Sequence, residues 1–161
     1  MGIEGWIWKL KKLVNLKVTG IETPQFDIMK IGVKQHIDRD YTYDEIPDEM
    51  INGYLFQNVH RTPNKTKFKF EVLKPLTAYF IYHDVYNGGY DKSFSKFAKK
   101  NGWVLCDDAP KYDINNPNPG MKEHGLHMTM YKLEANRGYY KLPKTKSGKQ
   151  WSCISMVFKE R

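Results

Sequence analysis

The segment Asp38–Asp84 reads DRDYTYDEIPDEMINGYLFQNVHRTPNKTKFKFEVLKPLTAYFIYHD. An aromatic-rich turn opens it, and three strand candidates follow, separated by turn signals. Gly53–Val59 comes after the turn around Pro47 and Asp48. Thr66–Leu73 alternates, with Phe68, Phe70 and Val72 on one face and Lys67, Lys69 and Glu71 on the other. That is the pattern of a strand with one buried and one wet face. Leu76–Tyr82 is an unbroken apolar run rich in aromatic and β-branched residues, as expected of a central strand covered on both sides. Strand, turn, strand, turn, strand is the order of a β-sandwich.

Outward from this segment, further short strands are expected at Ile28–Val33, Gly102–Cys106, Leu126–Glu134, Gly138–Leu142 and Trp151–Lys159. In the last of these, Trp151, Cys153 and, with a bulge, Val157 suggest a single inward face. Many short strands between turns argue for a sandwich rather than an α/β sheet. Residues 3–14 carry the one clear amphipathic helix pattern. At about 100° per residue, Ile3, Trp6, Ile7, Leu10, Leu13 and Val14 fall within an arc of roughly 120°. Trp8 lies opposite that arc. From Val14 the period shifts towards two (Val14, Leu16, Val18), so the helix is expected to be short and to feed a strand. A second helix is expected over Lys92–Lys100, with Phe94 and Phe97 on one face and Asn101-Gly102 as its stop. Residues 107–124, with Pro110, Pro117, Pro119 and Gly120, read as a long loop. The expected organisation is an N-terminal basic amphipathic segment, residues 1–20, and a β-sandwich domain, residues 21–161. The fold class is mainly β: an antiparallel, jelly-roll-like sandwich with an N-terminal helix and a short helical crossover.

The 161 residues suffice for one domain with a sizeable core. Lys and Arg number 26 against 18 Asp and Glu, a formal net charge of +8 that favours acidic partners. No stretch approaches the roughly 20 apolar residues needed to cross a bilayer. The start, MGIEGWIWKLKKLVNL, has an acidic residue ahead of its first apolar group and lysines inside it, unlike an export signal. Position six is Trp, where a myristoylation signal wants Ser or Thr. Cys106 and Cys153 sit in apolar surroundings and are expected as buried free thiols. These points together imply an intracellular protein, cytoplasmic or cytoskeletal.

With the strands laid out, residues 38–106 resemble the small non-catalytic β-sandwich accessory modules of polysaccharide lyases and related carbohydrate-active proteins. The positions that carry the likeness are Asp38, Arg39, Tyr41, Tyr43, Ile46, Pro47 and Gly53; then Phe68, Phe70 and Val72; then Ala78–Tyr82; then Gly102 and Trp103. The segment Met128–Pro143, MTMYKLEANRGYYKLP, is similar to the paired closing strands of such modules. The resemblance implies a sandwich fold and a sugar-binding role. Those modules place Asp and Arg after the Tyr of the buried strand, whereas here His83, Asp84 and Val85 follow Tyr82.

Chemistry-bearing residues are sparse. His124 and His127 have a spacing that could serve a metal, but such sites need three or four ligands and no CxxC accompanies them. His83 and Asp84 are adjacent strand residues and point to opposite faces, so they form no natural acid–base pair. Asp107-Asp108 reads as turn chemistry before Pro110. No nucleophile elbow, phosphate loop or dinucleotide fingerprint is present. The chain is therefore expected to be non-catalytic and to need no cofactor or metal. The leading expectation is a small structural subunit docked on a larger intracellular assembly with an acidic surface, such as a cytoskeletal or axonemal microtubule or a ribonucleoprotein. Its partner-binding candidates are Trp6, Trp8, Lys9, Lys11, Lys12, Lys96, Lys99, Lys100, Lys144 and Lys146, with the 107–124 loop as a further anchor. The alternative is a carbohydrate-binding accessory module, with Tyr41, His83, Asp84 and Tyr86 as ligand-binding candidates. It predicts aromatic rings exposed on one face or loop end of the sandwich. Nucleic acid ranks below both, because most aromatics stand at core spacing rather than in the exposed stacks such binders use.

Overall fold

The computed structural model describes residues 3–60, 62–63, 65–83, 91–113, 128–145 and 154–161. In chain order the elements are α1 (Ile3–Leu13), β1 (Val14–Val18), β2 (Gln25–Ile28), β3 (Thr42–Glu45), β4 (Tyr54–Gln57), β5 (Phe68–Val72) and β6 (Leu76–His83). They continue with α2 (Asp91–Asn101), β7 (Val104–Leu105), β8 (Lys111–Asp113), β9 (Met128–Ala135), β10 (Gly138–Lys141) and β11 (Ile154–Glu160). Every pairing between these strands is antiparallel. The fold is the expected mainly-β sandwich with an N-terminal helix.

The alternation of β5 builds the first layer. β5 is the middle of a three-stranded sheet, with β1 on one side and β10 on the other. Its Phe68, Phe70 and Val72 are buried, as are Val14, Leu16 and Val18 of β1, while the intervening residues face out. The second layer is a six-stranded sheet in the order β2-β4-β11-β6-β9-β7. Phe56, Phe80, Leu133, Ile154, Met156 and Phe158 from that sheet meet the inward residues of the first in one core. Aromatic rings cross the gap. Phe68 packs edge-on to Phe56 at 6.4 Å and Phe80 at 6.3 Å, and Phe80 stacks on Phe94 of α2 at 4.8 Å. Such pairs contribute about 0.5–1.5 kcal/mol each beyond simple burial.

The six-stranded sheet is covered on its other face too. Leu55, Tyr79, Ile81, Met130 and Val157 pack there against Met29, Val33, Tyr43 and Met50. Tyr43 lies on β3, which pairs with β8 in a small two-stranded sheet, and its phenol donates to the Ser155 hydroxyl at 2.8 Å. The central strands are thus buried on both sides, which is why Leu76–Tyr82 reads as a continuous apolar run.

Five details differ from the sequence expectations. β11 does not present one inward face: Ile154, Met156 and Phe158 enter the main core, and Val157 enters the second. It lies between β4 and β6, so both its faces are covered, and no bulge interrupts its register with either. The strand expected at 28–33 ends at Ile28, and Gly32 turns the chain at a φ of 89°. The long 107–124 loop contains β8, and the aromatic opening of the Asp38 segment contains β3. Residues 14–18, set apart with the basic segment 1–20, are an integral strand of the sandwich.

Both helices pack on the sandwich. Leu10 and Leu13 of α1 are buried, and Trp6 stacks on Tyr54 at 6.1 Å. In α2, Phe94 and Ala98 are buried. Gly102, with a φ of 80°, ends the helix, and the Trp103 amide donates back to the Ala98 carbonyl at 3.1 Å. This is the glycine-terminated closure that the Asn101-Gly102 pair signals.

Candidate functional site

The exposed face of the three-stranded sheet carries an open groove. Antiparallel register sets it out in rows. Asn15, Glu71 and Tyr139 lie abreast across β1, β5 and β10. The next row is Lys17, Lys69 and Lys141. All six line an open groove of about 590 Å³. Because alternate residues of a strand share a face, these rows follow directly from the burial of Leu16, Phe70 and Tyr140 on the other side. Beneath the groove Tyr140 stacks on Phe70 at 5.2 Å with their planes 12° apart, which gives the floor a rigid support.

Tyr139 is 83% exposed. Its phenol faces the Glu71 carboxylate, and the hydrogen bond to that group, followed by its negative charge, pushes the phenol pKa up. A flat ring in water, an amide and a carboxylate acceptor thus stand side by side. A second groove, of about 290 Å³, continues from the first. It shares Lys69 and Lys141 and adds Lys67, Pro143 and Lys144.

The other sequence candidates fall in different places. Trp6 is half-buried, stacks on Tyr54 and lines a groove between α1 and β2. Trp8 is 59% exposed, but Lys12 caps its ring at 3.7 Å. Lys9, Lys11 and Lys12 are exposed on α1, and Lys96, Lys99 and Lys100 on α2. Among the described lysine candidates, Lys144 joins the sheet face. Tyr41 is half-buried and packs edge-on to His60 at 5.3 Å, away from that face. His83 closes β6 opposite Met128. The His83 side chain lies outside the described residues, as do Asp84, Tyr86, Lys146, Cys153, His124 and His127. Cys106 is a half-buried free thiol whose pKa is raised, first by burial and then by the charge of Glu49. Among the described residues no group of three His, Cys, Asp or Glu side chains could hold a metal ion. No helix among them is long and apolar enough to cross a membrane.

Sequence reading identified the wet side of β5 but not the site. Asn15, Tyr139 and Lys141 gain their meaning only from strand pairing, and register between distant strands has no local signature.

No protein-family model matches the chain, and no curated protein sequence does. Two solved structures share its fold. One is a β-glucuronidase from glycoside hydrolase family 2, with a TM-score of 0.66 and 14% identity over 90% of this chain. The other is a GH138 enzyme targeting pectin rhamnogalacturonan II, with a TM-score of 0.60 and 16% identity over 93% of this chain. The chain spans only 14% and 16% of those two chains. At these identities the likeness is one of fold alone, that of a β-sandwich.

Proposed function

We propose that this protein is a non-catalytic carbohydrate-binding module whose ligand lies on the exposed face of the β1-β5-β10 sheet. The observation that carries the reading is Tyr139, an exposed ring set over a groove beside Asn15 and Glu71. A pyranose offers a largely apolar face to an aromatic ring and hydroxyls around its rim. Tyr139 supplies the platform, the Glu71 carboxylate accepts from hydroxyls, and the Asn15 amide donates and accepts. Glycoside hydrolysis needs two carboxyl groups flanking the bond, and this groove is lined by one. The shared fold with two enzymes that act on glycans supports the same reading.

Docking on an acidic intracellular assembly retains the exposed lysines in its favour. Trp6 is partly engaged by its own domain through Tyr54.

Glycan-array binding by the wild-type chain and by Tyr139→Ala tests the proposal. Binding to at least one glycan class is expected, with the variant weaker by about 1–2 kcal/mol, or roughly tenfold. Absence of binding to any glycan, or binding that Tyr139→Ala leaves intact, contradicts it.

A further inference from the structure

We infer that the glycan taken by this face is acidic, its sugars bearing carboxylates. The inference rests on the reading of the sheet face as a glycan-binding surface. It stands on a separate observation, the lysine row.

Lys17, Lys69 and Lys141 are direct cross-strand neighbours on one face. Directly opposed side chains in antiparallel strands have Cβ atoms about 4.5–5.5 Å apart, and like charges so placed destabilise the sheet. Three abreast is a local conflict that the fold does not require. Threonine or serine in the same places would leave the buried side of all three strands untouched. No ion pair among the described residues relieves it either. The ion pairs among the described residues use Arg39, Lys111, Lys132 and Arg161. No carboxylate among the described residues lies within ion-pair distance of the three ammonium groups. Lys67 and Lys144 extend the positive charge into the adjoining groove. A local rule broken with no ion pair among the described residues to offset it points to a ligand that supplies one.

Geometry narrows the ligand. The lysine row lies two residues along the strands from the Tyr139 row, about 6.7 Å. That is the scale of one sugar ring. A chain with one ring on Tyr139 brings the acidic group of the next ring over the lysines. Glu71 argues against a ligand with dense negative charge, such as a nucleic acid or a heavily sulfated glycan, because it lies within the same groove. Single-stranded nucleic acid is held by successive stacked rings, and this groove exposes one. A carboxylate-bearing glycan matches all three features: ring, acceptor and ammonium row.

Affinity electrophoresis and calorimetry with polygalacturonate, and with the same polymer fully methyl-esterified, separate charge from sugar shape. Dextran sulfate and single-stranded DNA serve as dense polyanions. The wild-type chain is expected to bind polygalacturonate at least about tenfold more tightly than its methyl ester, with affinity falling as salt rises from about 50 to about 300 mM. Lys69→Gln, at the exposed centre of the row, is expected to weaken polygalacturonate binding by about three- to tenfold and to weaken binding of the ester by less, so that the preference for acid over ester narrows. Tyr139→Ala is expected to weaken both. Equal affinity for acid and ester, with Tyr139→Ala still damaging, overturns the inference and leaves the glycan reading standing. Tighter binding of dextran sulfate or DNA than of polygalacturonate also overturns it. No binding to either form of the polymer, together with a silent glycan array, overturns both.

Discussion

His36 is fully buried, and its neutral ring is held by an Nδ1 contact of 3.2 Å with the Asn58 carbonyl. Burial, and after it the positive charge that His60 can carry beside it, depress its pKa from 6.5 to about 3. Between those values the unfolded chain binds a proton that the folded chain refuses. Stability is therefore complete above the unfolded value and declines as pH falls from 6.5 towards about 3. The expected slope approaches about 1.4 kcal/mol per pH unit. Denaturant titrations at stepped pH should show this slope, and His36→Gln should flatten it; an unchanged slope in the variant would assign the acid sensitivity elsewhere. Tyr139 behaves in the opposite way. Its ring stands in water, so Tyr139→Ala should alter stability by no more than about 0.5 kcal/mol while weakening glycan binding. A large drop in the denaturation midpoint would mean that the ring supports the sheet rather than a ligand. Neither role is written in the residues' immediate neighbours. His36 is one histidine among five in the chain, and its burial is set by strands far from it in sequence.

At the scale of elements, α2 is fastened by Phe94, which contacts Phe80 at 4.8 Å and Tyr131 at 4.9 Å. Phe94→Ala should cost about 3–5 kcal/mol. Hydrogen exchange should rise first in residues 94–101 while β5 keeps its protection; uniform loss across the chain would show that the helix and sheets are one cooperative unit. The turn into β4 has a tighter constraint. A Cβ on Gly53 would lie 2.7 Å from Val157 Cγ1 and 3.1 Å from the Met50 carbonyl, where the chain passes against β11. Gly53→Ala should therefore destabilise by about 1–3 kcal/mol, and a neutral melting curve would contradict the close packing. Elements with strong local signals were readable. β5 announced itself by alternation, β6 by its apolar run, and α2 by its Asn101-Gly102 end. β3 and β8 were not readable, because each is three or four residues long and takes its extended form from pairing with the other. β11 misled for a related reason: a strand buried on both faces loses the period of two by which an inward side is recognised.

The molecule as a whole is two layers with different outer faces. The six-stranded sheet has a second core on its outer side. The three-stranded sheet leaves its outer side open to solvent, and that asymmetry makes the open side the surface available to a ligand. The sandwich could be inferred from strand spacing. The open face could not, since β1 and β5 are some fifty residues apart in the chain and β10 about seventy beyond β5. The long-range pairing also explains why Lys17, Lys69 and Lys141 were not recognised as one row, since it lies across three strands. Amide chemical-shift mapping of the isotope-labelled chain titrated with polygalacturonate oligomers addresses this placement most directly. The account predicts shifts concentrated at Asn15, Lys17, Lys69, Glu71, Tyr139 and Lys141, with α1 and α2 unmoved. Shifts gathered instead on Lys9, Lys11 and Lys12, or on Lys96, Lys99 and Lys100, would contradict it.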